Sequence, residues 1–387
     1  MNKKVIAAAA SAVASLAFSL TPALAGTASN DTTGYGSYNE AEVSTNNDVD
    51  IDQKNEANIV NNISVSSNTG GNTANKNTGE GSVTTGDASV TVSLSNTANS
   101  NTVSLDNCGA CTGDVSASNT KTGADSKNIA EASVDNDIDV DQDNEANVFN
   151  SVSVSSNTGD NEANKNTGEG NVTTGDAEVV VSIANMVNEN SVSISGGDGG
   201  SVSASNDTTG ADSENYADAS VETDVDIDQD NDANLCNDVD VEANTGDNEA
   251  NKNTGEGSVD TGDAKVEVGI ENNANSNSAN VDACCDVELE AANEKTGADS
   301  KNKAEASADN DLDIDQDNEA NVKNSGKISA NTGDNETNKN TADDQHTGDA
   351  DVDVEVSSSA NENSVNGDEA DGSNNNVDVD VNVNSSN

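Results

Sequence analysis

The chain repeats itself four times with a long period, and any fold must be built from four near-copies of one pattern. Thr-Gly opens a unit at Thr33-Gly34, Thr122-Gly123, Thr209-Gly210 and Thr296-Gly297, in steps of 89, 87 and 87 residues. Gln53, Gln142, Gln229 and Gln316 keep those steps. So do Lys76, Lys165, Lys252 and Lys339, each inside an Asn-Lys-Asn-Thr string. The units run 33–121, 122–208, 209–295 and 296–387, the last ending in an acidic Asn/Ser-rich tail. Residues 26–32 read as a linker ahead of them.

Within a unit the order of features is constant. The second begins with the acidic alternation Asp137-Ile-Asp139-Val-Asp141-Gln142, then Asn144-Glu-Ala146-Asn147 and the Val/Ser alternation Val152-Ser-Val154. A turn at Asn157-Thr-Gly159 follows, and the most apolar stretch is Val179-Val-Val181-Ser-Ile183. Alternation of apolar and polar residues puts every second side chain on one face of a strand. Gly, Asn and Asp between the runs supply turns. No stretch holds a 3.6-residue period, and Val, Thr, Ser and Asn are poor helix formers. The expectation is all-β, with about five short strands per unit.

The core such strands can build is small. Aromatic residues make up 1% of the chain, with no Trp, and the net charge is -58. Little bulky apolar surface with a large charge is the signature of disorder, which stands as one alternative. Against it, the alternation keeps register through Val90/Val92/Leu94, Val179/Val181/Ile183, Val266/Val268/Ile270 and Val352/Val354/Val356, and Pro is absent after Pro22. A repetitive β-solenoid-like rod suits small cores, because each coil buries few side chains and stacking satisfies the backbone. The 64 Asn residues suit ladders of stacked amides. Asn55 and Asn72, like Asn144 and Asn161, stand 17 residues apart, which points to coils of roughly 17–22 residues. Four or five such coils per unit would give a rod on the order of 80–95 Å. Tandem small β-sandwich units are the competing architecture, disfavoured because the strands lack aromatic anchors.

Lys3 and Lys4 precede an apolar run from Val5 to Leu20 and the small-residue site Ala23-Leu24-Ala25, the layout of a signal peptide over 1–25. The expected location is secreted or cell-surface. No second apolar run exists to insert into a membrane. The acidic balance, with Lys the only basic residue type besides His346, speaks against nucleic acid. It favours divalent cations, basic surfaces or self-association.

Gln142-Asp-Asn144-Glu-Ala146-Asn147 resembles the Gln-x-Gly-x-x-Asn core of curlin repeats, the subunits of secreted bacterial amyloid fibres. Asn144 stands where that pattern has Gly, the closing Gln is missing, and the unit is far longer. More broadly the chain is similar to exported Asn/Thr/Gly-rich bacterial repeat proteins. The resemblance implies a secreted β-structured element.

The candidate metal ligands are Asp48, Asp50, Asp52, Asp137, Asp139, Asp141, Asp224, Asp226, Asp228, Asp311, Asp313 and Asp315. Three carboxylates on one strand face, about 6.8 Å apart, are hard oxygen ligands of the kind that suits calcium. A solvated acidic face that discourages edge pairing is the plainer reading. Gly196-Gly-Asp198-Gly-Gly200 reads as a loop. Cys108 with Cys111, and Cys284 with Cys285, are disulfide candidates in an oxidising compartment. Cys236 falls where Val60, Phe149 and Lys323 stand in the other units, and is expected to be a buried thiol. His346 occurs in one unit only, and with so few aromatics nothing prepares a catalytic carboxylate pair. The chain therefore reads as a non-catalytic structural or adhesive surface protein without a cofactor. A calcium-responsive extracellular module ordered by the ion is the alternative.

Overall fold

The computed structural model describes residues 26–106, 114–195, 198–281, 286–366, 368–369 and 373–386. The signal peptide read at 1–25 lies outside them. Each repeat contributes four strands. The first gives β1 (Gly26–Asp31), β2 (Tyr38–Asn68), β3 (Gly81–Thr84) and β4 (Ala88–Asp106). The second gives β5 (Val115–Thr122), β6 (Lys127–Asn157), β7 (Gly170–Thr173) and β8 (Ala177–Ser195). The third gives β9 (Asp198–Thr209), β10 (Glu214–Asn244), β11 (Glu256–Asp260) and β12 (Ala264–Val281). The fourth gives β13 (Asp286–Glu294), β14 (Lys301–Asn331), β15 (Ala342–His346) and β16 (Ala350–Val365). Two further strands close the chain, β17 (Asp368–Glu369) and β18 (Ser373–Ser386).

Each of the sixteen repeat strands pairs in parallel with its counterparts in the neighbouring repeats, residue for residue along the long strands and with one register shift where β13 meets β9. Gln53 lies beside Gln142, Gln142 beside Gln229 and Gln229 beside Gln316. The protein is thus an all-β parallel solenoid, as the alternation and the amides require. One repeat is one coil. The shorter coil of about twenty residues is not what forms, and the reason is local. Asn144 sits on β6, whereas Asn161, 17 residues on, sits in the turn region between β6 and β7. They are two stations of one coil, and only positions a whole repeat apart are stacked. The strand contour of β6, with 31 residues, is therefore roughly 100 Å. Four coils span only about 14 Å along the stacking direction. The long dimension follows the strands.

The coil is flattened into two walls. The long strands β2, β6, β10 and β14 form one, and the β4-type and β1-type strands form the other. Between them the alternation delivers apolar side chains from both sides. Val152 and Val154 of β6 join Val179, Val181 and Ile183 of β8 in the largest cluster, all essentially buried. Ile138 and Val140 meet Val192 and Ile194, and Ala130 and Ala132 meet Val115 and Ala117. Each buried Val or Ile contributes roughly 1.5–3 kcal/mol. Because each cluster recurs coil after coil, small side chains add up to a continuous core.

Gly26–Asp31 is no linker, since it pairs along its length with β5. The acidic tail likewise contains a strand, β18, paired with Asn318–Asn331 of β14. The glycine-rich string read as a loop belongs to β9 from Asp198 to Gly200, and its first two residues lie outside the described set. Among the described residues no helix is long and apolar enough to cross a membrane.

Stacking also explains the turn glycines. At Gly159 a Cβ would fall inside contact distance of the Gly246 carbonyl oxygen, and at Gly246 inside that of Gly333. Gly269, on β12, has open space where its Cβ would lie. Gly159→Ala is therefore expected to destabilise the fold by about 1–3 kcal/mol in urea unfolding, while Gly269→Ala is neutral or stabilising. Equal effects of the two substitutions would mean that close coil stacking at this turn is wrong.

Candidate functional site: the acidic outer face

The alternation that sends Ile138 and Val140 inward sends Asp137, Asp139 and Asp141 outward. Register then copies them across coils. Asp48, Asp137, Asp224 and Asp311 form one row; Asp50, Asp139, Asp226 and Asp313 a second; Asp52, Asp141, Asp228 and Asp315 a third. All twelve expected ligands share one exposed face. Neighbours stand about 4.8 Å apart between coils and about 6.8 Å along a strand. Asp143, Asp230 and Asp317 extend the grid by a fourth row, which begins at Lys54. Lys54 forms an ion pair with Asp143.

Crowding changes the chemistry of these carboxyls. Partial desolvation, then repulsion from Asp48 and Asp224, raises Asp137. Desolvation, followed by repulsion from the neighbouring carboxylates, also raises Asp139, Asp141 and Asp230. Asp228 is pushed up to about 6, by desolvation first and then by Asp230, Asp141 and Asp315. At the corner of the coil the opposite holds. Asp31 is lowered by hydrogen bonds from Thr32 and Lys121, and Asp207 by those from Lys295 and Thr208.

The grid is flat, and flatness limits what it can coordinate. Calcium takes six to eight oxygens at about 2.3–2.6 Å, which needs ligands converging from several directions. Among the described residues no group of three or more His, Cys, Asp or Glu side chains is arranged to hold one metal ion. The Asp-x-Asp-x-Asp triplets lie on extended strand, where alternation places them. What the face offers is a repeating polyanionic surface with a period of one coil.

The four disulfide candidates, Cys108, Cys111, Cys284 and Cys285, lie outside the described residues. Cys236 is a free thiol, half-buried on the outward face of β10. Its row is the expected one, Val60, Phe149, Cys236 and Lys323. Its burial is less than expected, because Asn237 and Leu235 take the inward positions beside it. His346 ends β15 on an exposed edge position rather than in a loop.

Sequence reasoning missed two features. Asn99, Asn188, Asn275 and Asn361 interrupt their strands with φ of 57–60°. From that bulge Asn188 Nδ2 donates at 2.7 Å to the Asp232 carbonyl of the opposite wall, as Asn275 does to Glu319. Asn-rich strings gave the composition but not this stitch. The second feature is a cationic corner. Lys127 Nζ lies 5.4 Å from the Tyr38 ring centre, and Lys303 Nζ 5.2 Å from that of Tyr216. These pairs are a whole repeat apart in sequence and become visible only once the coils are stacked.

No known protein family, no curated protein and no solved structure matches this chain.

The raised carboxyls tie the face to stability. A carboxyl whose folded pKa is raised favours the folded state when protonated. That contribution is complete below the ordinary carboxylate range near about 4 and lost as pH rises through about 6, the value for Asp228. The thermal midpoint is expected to rise on acidification from about pH 8 to about pH 5, and Asp228→Asn to flatten part of that rise. A midpoint that falls across this window contradicts the crowded-face picture.

Proposed function

We propose that this is an exported, non-catalytic structural or adhesive repeat protein that acts through its surfaces at the cell exterior. The observation that carries this reading is the continuity of the interior. The first three coils close on the same apolar clusters and amide ladders, so what is accessible on them lies on the outer faces, whereas in the fourth coil the first half of β14, Leu312 included, is exposed. The most extensive of the outer faces is the carboxylate grid. Basic surfaces and divalent cations are the partners its charge would recruit. The layout of residues 1–25 and the likeness to exported Asn-rich repeat proteins supply the location.

The second reading, a calcium-responsive module, is favoured by the rows of raised carboxyls, since two neighbouring carboxylates in adjacent coils can share a cation. In that reading calcium relieves repulsion on the outer face and so lets the coils stack, whereas in the first the amides and apolar clusters order the chain without an ion.

Circular dichroism of the chain in EDTA, then in millimolar calcium, distinguishes these roles. The structural reading expects a β spectrum in both conditions, with calcium raising only the melting midpoint. A coil spectrum in EDTA that turns to β with calcium supports the ion-ordered module instead. Fractionation of the producing cells tests location, with the chain expected in surface and medium fractions. Retention of the unprocessed chain in the cytosol would end the exported reading.

A further inference from the structure

The two ends of the coil stack differ. At the first coil the outer edge of β2 faces no strand among the described residues. At the fourth, β18 lies along β14 only from Asn318 to Asn331. On that side two amide atoms are buried without a hydrogen-bond partner, Gln316 Oε1 and Asn324 Nδ2. Their side chains are 8% and 0% exposed.

Each atom ends a ladder. Gln142 Nε2 donates to Gln53 Oε1, Gln229 to Gln142, and Gln316 to Gln229, at 2.7–2.8 Å. Every glutamine accepts from the coil after it, so Gln316 Oε1 lacks the donor a fifth coil would bring. The asparagines run the other way. Asn61 Nδ2 donates to Asn150 Oδ1, Asn150 to Asn237, and Asn237 to Asn324, at 2.7–2.8 Å. Asn324 Nδ2 therefore lacks the acceptor a fifth coil would bring. The register of β18 sets Val379 beside Asn324, and its pairing begins beyond Gln316.

The first coil carries the same residues at the matching stations, Asn61 with its carbonyl oxygen and Gln53, whose Nε2 donates to the Thr102 carbonyl of its own coil, as Gln142 Nε2 donates to Ser191 while also making its ladder bond. Outside the core the junction repeats the neighbours found between coils within the chain, like-charged rows such as Asp50 beside Asp313 included, and adds opposite-charge pairs. Continuing the rows past the fourth coil would bring Glu40 beside Lys303, Lys54 beside Asp317 and Tyr38 beside Lys301. Within the chain the same kinds of neighbour already occur, as Lys54 with Asp143 and Lys127 over Tyr38.

We propose that the fourth coil accepts the first coil of a second copy of this chain, stacked head to tail in register. In this scheme β18 is a cap that competes with that copy for Asn318–Asn331. The proposal goes beyond the surface role above and does not depend on it. Stacked copies lengthen the solenoid while the four coils of each keep their fold and β18 gives up its place along β14.

Sedimentation velocity of the full chain over a wide concentration range tests this. Two adjacent prolines, Val379→Pro with Asp380→Pro, must remove a backbone donor from the β18 ladder whichever N–H faces β14. The uncapped variant is expected to associate at about tenfold lower concentration than the parent. Adding Gln53→Glu keeps an acceptor for Gln142 but sets a carboxylate against Gln316 Oε1, and should reverse the gain by about tenfold. Lys303 and Glu40 are exposed, so Lys303→Glu costs the fold only its surface contacts with Tyr216 and Glu305; it weakens association and is rescued by Glu40→Lys in the same chain. An uncapped variant that stays monomeric at every concentration overturns the proposal. So does association that ignores both Gln53→Glu and the Lys303/Glu40 exchange.

Discussion

The structure depends on the stacked carboxamide. An Asn or Gln side chain carries a donor and an acceptor on one small planar group, so it can accept from one neighbour and donate to the next. That property has a geometric consequence. A buried amide is satisfied only if the same amide recurs one strand spacing away, which requires parallel, in-register coils and a fixed repeat length. Asn39, Asn128, Asn215 and Asn302 show it, each donating to the next at 2.7 Å. Leaving such a group unmet in the interior costs about 1–3 kcal/mol. A slip of one residue would unmake every ladder and turn the apolar face outward. Register is therefore held by hydrogen bonding and hydrophobic burial together, which is how a chain almost without aromatics specifies one arrangement.

The same register creates the main conflict in the molecule. Whatever stacks identically inside also stacks identically outside, and on the outer face of the long wall the repeated residue is Asp. Rows of like charge about 4.8 Å apart repel. Partial burial first, and then that repulsion, raise the carboxyl of Asp228. Exposure keeps the repulsion tolerable, because water and counterions screen surface charges that a buried site could not bear. Scattered lysines relieve it locally, as Lys54 does for Asp143 and Lys301 for Glu214. The acidic face is thus a by-product of register as much as a feature in its own right, and it makes the stability of the fold responsive to pH and cations.

Much of this was legible in the sequence, and what escaped has a physical reason. Alternation around Val179, Val181 and Ile183 foretold strands and the inward face, and the shared steps of Gln53, Gln142, Gln229 and Gln316 foretold the four units, though not that these residues stack directly. The twelve aspartates emerge on one face because period two and period 87–89 together fix both coordinates of the grid. Coil length did not emerge, because Asn144 and Asn161 look alike in sequence while one lies in a wall and the other in an end turn. Composition cannot separate a laddered amide from a turn amide. Nor could it show Asn188 and Asn275 reaching across the core, since that bond depends on a left-handed backbone between two strands of ordinary alternation. The half-exposed position of Cys236 follows from parity, as Leu235 and Asn237 occupy the inward stations on either side.

Ladder direction adds one more consequence. The Asn39 and Asn61 ladders donate from earlier coils to later ones, whereas the Gln53 ladder donates from later coils to earlier ones. Had all run the same way, the amide dipoles would add along the stack. One end would then present only donors and the other only acceptors. The opposed glutamine ladder leaves each end with a mixture of both, although the ladders from Asn30, Asn39, Asn55 and Asn61 all run one way. A mixed end cannot be satisfied by water-exposed charge of a single sign or by a plain apolar strand. It is satisfied by a coil that carries glutamine and asparagine at the same stations. The direction of hydrogen bonding inside the solenoid thereby sets what can close it.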